Sequence, residues 1–143
     1  APQRSFAPML AEKFGIVHRV HFTGKIGPDD LVRLYCSAEI AVVPSLYEGF
    51  GFPAAEAMAC ELPVVCSTAG ALPEVVGDDG AGILVPPRNA PALGQAIRRL
   101  LEDPGLRRQM GQAGRRRVAT LFTWENAARQ TVEVYRETID AHR

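Results

Sequence analysis

Short apolar runs alternate along the chain with stretches whose apolar positions recur every three or four residues. Phe6, Leu10 and Phe14 stand four apart and predict an amphipathic helix stopped by Gly15. Val20–Thr23 then reads as a short strand closed by Gly24. Gly27-Pro28-Asp29-Asp30 is a helix start, with proline at the first helical position and acids in the first turn. Leu31, Leu34, Tyr35 and Ala38 follow at helical spacing and predict one core-facing stripe.

Three continuous apolar runs, at 40–43, 64–66 and 83–85, have the pattern of strands covered on both faces. Between the first two, Pro53 opens a helix of small residues reaching about Cys60. Between the second and third, Leu72–Val76 forms one helical turn ended by Gly77, with a turn at Asp78-Asp79-Gly80. From Asn89, a predicted N-cap, the chain reads as helix, with a stripe of Leu93, Ala96, Ile97, Leu100 and Leu101. Asp103-Pro104 stops that helix and begins another with Leu106, Met110 and Ala113 inward. Thr123 caps a last helix bearing Trp124, Ala128, Thr131, Tyr135 and Ile139. Strands alternating with helices imply an α/β fold: a Rossmann-like, doubly wound parallel sheet flanked by helices. Ligands of such sheets bind outside the carboxyl ends of the strands, which places attention on residues 44–53.

Composition narrows the classes. The 143 residues are long enough for a packed core, and 16 basic against 16 acidic side chains give no net charge to draw nucleic acid or anionic membrane. No apolar run approaches the roughly 18–20 residues of a membrane span, and no signal-peptide core begins the chain. Cys36, Cys60 and Cys66 are expected as buried free thiols, without a metal cluster, in a reducing and hence cytoplasmic setting.

The 44–66 stretch holds the candidate chemistry. Gly49 and Gly51 remove side chains where a ligand needs close approach to the backbone. The helix start at Pro53 offers unpaired amides and a positive dipole end to a phosphate. Glu48 and Glu56 flank the loop, and carboxylates accept hydrogen bonds from paired sugar hydroxyls. Together they describe a nucleotide sugar. On the residues alone, the alternatives stay open: Glu56 also complements the helix dipole, Glu48 suits an exposed loop, and the glycines suit turn geometry.

The segment Glu48-Gly49-Phe50-Gly51-Phe52-Pro53-Ala54-Ala55-Glu56 resembles the E-x7-E motif of retaining glycosyltransferases with the GT-B fold, in the sucrose-synthase and mannosyltransferase-like family. The similarity continues through His21–Gly24, Val43–Ser45, Leu62–Val65, Gly70–Val76, Gly82–Pro87 and Phe122–Trp124. It implies the C-terminal, donor-binding half of such an enzyme, using a nucleoside diphosphate sugar as donor and no cofactor. Glu48 would contact the donor sugar's hydroxyls or stabilise positive charge at its anomeric carbon. Gly49, Phe50 and Gly51 would present amides to the sugar and diphosphate, and Glu56 would hold the ribose. Lys25 and Ile26 would border the nucleobase.

Compared with the family, the chain lacks the N-terminal acceptor domain, the first two strands of the C-terminal domain and the Arg/Lys pair that neutralises the diphosphate. Lys25, Arg33 and Arg88 are the cations near the expected sheet region. The expectation is a single, N-terminally incomplete domain over 1–143, nearly inactive alone. The missing strands belong between 20–23 and 40–43, so these would pair directly, or a missing domain, a second copy or strand or helix exchange would complete the sheet. Glu61 stands where the family often has glycine after the central helix, at little cost if that turn is not left-handed. His18, His21 and His142 read as ordinary histidines and Arg115-Arg116-Arg117 as a solvated helix face. Trp124 is expected to anchor the last helix, with apolar surface exposed where another domain docks. The rival functions are a non-catalytic nucleotide-sugar-binding or assembly module, and a different GT-B enzyme such as an epimerase or phosphorylase.

Overall fold

A computed structural model describes residues 6–142. They divide into two compact units, one ending at Leu31 and the other beginning at Val32. The first holds α1 (Phe6–Lys13), which ends two residues before Gly15, itself at φ +66°. Ala11 is its buried position, whereas Phe6, Leu10 and Phe14 are exposed, so the expected stripe does not bury. Val20–Thr23 departs from its expected role. It joins no ladder, so it neither forms a sheet strand nor pairs with the 40–43 run.

Helix α2 (Pro28–Ser37) starts at the expected proline with Asp29 and Asp30 in its first turn. It has no buried residue; Leu34 is exposed and Tyr35 half-buried. The second unit is built on β1 (Ala41–Val43), α3 (Phe52–Ala59), β2 (Val64–Ser67), α4 (Leu72–Val76) and β3 (Gly82–Val85). The strands form a parallel, three-stranded sheet in the order β1-β2-β3, with Val42 opposite Val65 and Val65 opposite Ile83. This is the expected α/β architecture with a parallel sheet flanked by helices.

The central strand is fully buried, and its alternation supplies a core on each face. Val64 and Cys66 pack with Met58, Leu72, Val75 and Val76 of α3 and α4. Val65 packs on the other face with Val85 and with Ala96 and Leu100 of α5 (Ala90–Glu102). Full burial of a valine contributes about 1.5–3 kcal/mol, so β2 is the energetic axis of the unit. β1 is less covered than its sequence implies, because Val42 remains 39% exposed on a strand paired on one side.

Asn89 caps α5 by accepting from the Ala92 amide, and Asp103 caps α6 (Pro104–Leu121) by accepting from Leu106. Met110 is buried as expected, but Leu101 faces out. Arg117 departs from the expected solvated run. Its guanidinium donates to the carbonyls of Glu74 and Val75 at the end of α4 and pairs with Asp79 at 3.0 Å. Arg115 forms a longer ion pair with Glu61.

Thr123 caps α7 (Trp124–Ala141) through the Asn126 amide. Trp124 does not anchor this helix, being 92% exposed, and Val132, Val134, Tyr135 and Ile139 are exposed with it. The turn after α3 is left-handed, with Glu61 at φ +59°. The amides of Glu61 and Leu62 donate to the carbonyls of Met58 and Ala57, the hydrogen-bond pair of a Schellman cap. Glutamate therefore occupies a position that favours glycine, and the condition for a small cost, a turn that is not left-handed, is not met.

Candidate functional site

The loop from Pro44 to Gly51 leaves the carboxyl end of β1 and enters α3. It is held from below by the buried Ser67 at the end of β2, whose hydroxyl donates to the Ser45 carbonyl at 2.5 Å. Ser45 in turn donates through its own hydroxyl to Glu48 Oε2 at 3.2 Å. This orients the half-buried Glu48 carboxylate and leaves its other oxygen for further donors. Sequence reading passed over Ser67; its signal is a small polar residue closing an otherwise apolar buried run.

The Glu48 backbone is held from a second side by the loop between β2 and α4. Its carbonyl accepts from the Ala71 amide at 3.2 Å. Gly70 lies against the same peptide at φ +55°, and a Cβ there would stand 2.0 Å from the Glu48 oxygen. Only a hydrogen fits, so Gly70 permits the two loops to meet. On its outer side the site loop is open, since a Cβ at Gly49 would meet nothing within 4 Å. A rigid, open-faced loop is what a backbone-reading ligand site requires.

Gly51 caps α3 with φ +102°. The helix begins at Phe52, one residue before the expected start, with Pro53 at its second position. This changes the expected supply of amides. Proline has none, and the amides of Ala54 and Ala55 both donate to the Gly51 carbonyl. Phe52 is left as the first-turn amide that the helix does not use. Phe50 packs tilted against Phe52 at 4.9 Å and edge-on to Phe122 at 5.6 Å, which fixes the ring and hence its peptide.

Glu56 is exposed on α3 and does not stand alone. The Tyr35 hydroxyl donates to its Oε2 at 3.3 Å. Burial, then the Glu56 charge and this hydrogen bond, push the phenol up to about 12. Tyr35, expected on the core-facing stripe of α2, does pack half-buried against the core, and its phenol also neighbours the site. Glu56 lines a groove of about 780 Å³ with Phe50, Phe52, Glu74, Phe122 and Trp124. A smaller cavity of about 220 Å³ lies at the strands' carboxyl ends, between Pro44, Leu46, Ser67, Val85 and the Pro86–Ala90 loop. Glu48, Gly49, Phe50, Gly51 and Glu56 therefore occupy one loop and helix start in the second unit. Lys25 and Ile26 belong to the first unit, Lys25 exposed and Ile26 half-buried.

The thiols also depart from expectation. Cys66 is buried, and burial pushes it up to about 12, but Cys36 is exposed and Cys60 half-buried. No helix among the described residues is long and apolar enough to cross a membrane.

The chain is 47% identical over 131 residues to the MMP alpha-(1->4)-mannosyltransferase of Mycolicibacterium hassiacum, an alignment covering 91% of this chain and 32% of that protein. Among solved structures it superposes on sucrose-phosphate synthase from Thermosynechococcus elongatus with a TM-score of 0.86 and 42% identity, covering 99% of this chain and 37% of that one. The Anabaena protein HepE, solved in complex with UDP-glucose, shares the fold at a TM-score of 0.83 and 24% identity, covering 92% of this chain and 36% of that one. The chain thus spans about a third of the length of the relatives it matches. These neighbours carry the GT-B glycosyltransferase fold, and residues 2–117 match the family described as glycosyl transferases group 1. The chain belongs to the glycosyl transferases group 1 family.

Proposed function

We propose that residues 1–143 form a donor-binding domain of a retaining glycosyltransferase, which transfers a sugar from a nucleoside diphosphate sugar to an acceptor. The observation that carries this reading is the loop of 48–51. It is pinned from behind by Ser67, Gly70 and Ala71, open at Gly49, and placed at the carboxyl end of a parallel strand in a chain of this family. Glu48 and Glu56 are the two ends of its E-x7-E motif. Glu48, oriented by Ser45, accepts hydrogen bonds from the donor sugar and faces positive charge developing at the anomeric carbon.

The amides of Gly49, Phe50, Gly51 and Phe52 lie where the diphosphate leaving group gathers charge, and preorganised amides stabilise such charge without reorganising. Glu56 accepts from the ribose hydroxyls, for which Tyr35 is the resident competitor. The cations of the diphosphate site and the strands that pair the outer edge of β1 come from outside this chain, as an N-terminal part or a second copy. For Lys25 and Ile26 the nucleobase role rests on the family resemblance alone. HepE's complex with UDP-glucose concerns that protein, and agrees with a nucleotide sugar as the ligand class.

Calorimetric titration of the chain with UDP and with GDP, repeated on Glu56→Ala, tests the reading. A charge-assisted hydrogen bond is worth about 1.5–3 kcal/mol, so the variant binds roughly tenfold more weakly or worse. Equal binding by the variant removes the ribose role from Glu56.

A further inference from the structure

The groove lined by α3, α4 and the start of α7 has a chemistry that nucleotide binding does not use. Its walls carry four aromatic rings, Phe50, Phe52, Phe122 and Trp124, and two carboxylates, Glu56 and Glu74. The rings do not share a plane. Phe50 meets Phe52 at 49° and Phe122 at 87°, with centroids 4.9 and 5.6 Å apart, so they form a corner rather than a flat platform. Phe52 and Trp124 are the open rings, 66% and 92% exposed.

The charge of the groove is one-sided. No lysine, arginine or histidine lines it, and neither carboxylate forms an ion pair with a described residue. Glu56 receives a hydrogen bond from the Tyr35 hydroxyl. Arg117 reaches the Glu74 carbonyl, but its charge is paired with Asp79 and it lines a different cavity. In a chain with 16 basic and 16 acidic side chains, uncompensated carboxylates and the negative faces of π-systems thus meet in one place. A sugar packs flat against one aromatic face; rings set at angles and backed by carboxylates suit a weakly hydrated cation. The volume of about 780 Å³ lies within the roughly 300–1,000 Å³ of small-molecule sites.

We propose that this groove is a binding site for a small organic cation, an alkylated ammonium on an apolar stem. The ammonium head lies against the rings, and Glu56 and Glu74 balance its charge. Glu56 is shared with the proposed ribose contact, whereas Glu74 and Trp124 belong to the groove alone, so the test rests on them.

The test titrates the nucleotide-free chain with choline and, in parallel, with its neutral isostere, in which a tert-butyl group replaces the trimethylammonium. Trp124 is the single tryptophan of the chain, so its emission reports on the groove. The expected result is a saturable change with millimolar choline and binding of the isostere about tenfold weaker. Glu74→Gln, at an exposed position, weakens choline severalfold and leaves the isostere unchanged. Trp124→Ala, followed by the amide shifts of Phe50, Phe52 and Glu74, weakens choline about tenfold. Equal affinity for choline and the isostere overturns the proposal, as does choline affinity unchanged in either variant or no saturable response at tens of millimolar.

Discussion

Gly70→Ala separates backbone strain from the close approach that holds the site loop. The residue sits at φ +55°, where an L side chain costs about 1–2 kcal/mol. Its Cβ would also fall 2.0 Å from the Glu48 carbonyl oxygen and 2.9 Å from the carbonyl carbon, both backbone atoms that no rotamer change moves aside. The Glu48 peptide must retreat by more than an ångström, breaking the Ala71-to-Glu48 hydrogen bond, worth about 1 kcal/mol. Overpacking of this kind adds about 1–3 kcal/mol, which brings the sum to roughly 3–6 kcal/mol. Gly80→Ala is the matched control. It has φ +82° with nothing within 4 Å of the added Cβ, so only the strain of about 1–2 kcal/mol applies. Urea denaturation of both variants against wild type measures the difference, expected to be about 2–4 kcal/mol. Amide spectra of Gly70→Ala should shift over 45–51. If the two variants lose the same stability, the loops do not meet as described, and the argument that Gly70 positions Glu48 fails.

Glu61→Gly is expected to stabilise the fold by about 0.5–1 kcal/mol, because the left-handed strain relieved exceeds the extra freedom glycine gives the unfolded chain. The substitution also removes the Arg115–Glu61 ion pair, which is solvent-exposed and adds little stability. An unchanged or lower denaturation midpoint would contradict the left-handed turn. Tyr35 should be a late-ionising phenol. Its folded value of about 12 lies above the ordinary 10, so the folded state holds this proton more tightly than the unfolded state. Stability from this group is intact below about pH 10 and is lost as the pH rises toward 12. Ultraviolet titration of tyrosinate should show a late step that disappears in Tyr35→Phe and moves lower in Glu56→Gln; its persistence in Tyr35→Phe would assign it elsewhere.

Where apolar residues run consecutively, the pattern led directly to strands. The runs at 40–43, 64–66 and 83–85 became β1, β2 and β3 within a residue or so, although only β2 is buried at every position. The caps at Asn89 and Thr123 were legible because their side chains bond amides three residues away, and Asp103-Pro104 was legible as a helix start. What was not legible depends on partners distant in sequence. Val20–Thr23 has strand composition, but a ladder needs a neighbour, and composition does not supply one. Tyr35 and Arg117 have spacings that fit a core stripe and a solvated run. Their roles come from a carboxylate 21 residues away and carbonyls up to 43 residues away. Glu61 shows that a left-handed cap can be filled by a residue that gives no warning of it.

The same limit applies to the site. The stretch 48–56 was visible as glycines and acids around a helix start. The supports that give it shape, Ser67, Gly70 and Ala71, lie on another loop. The helix start also offers fewer amides than its position promised, since Ala54 and Ala55 donate back to Gly51. The exposed apolar positions of α7 agree with the expectation of uncovered surface there, although Trp124 is among the exposed residues rather than the anchor.

The central claim is that the 48–56 loop and helix start receive a nucleoside diphosphate. Amide chemical-shift mapping of the isotope-labelled chain during titration with UDP and with GDP addresses it most directly. The account predicts that the largest, saturable shifts fall on Gly49, Phe50, Gly51 and Phe52, with Glu56 moving alongside them and Glu56→Ala weakening the effect. Shifts that leave 48–56 still and concentrate on the Pro86–Ala90 loop, or no shifts at millimolar nucleotide, would contradict it.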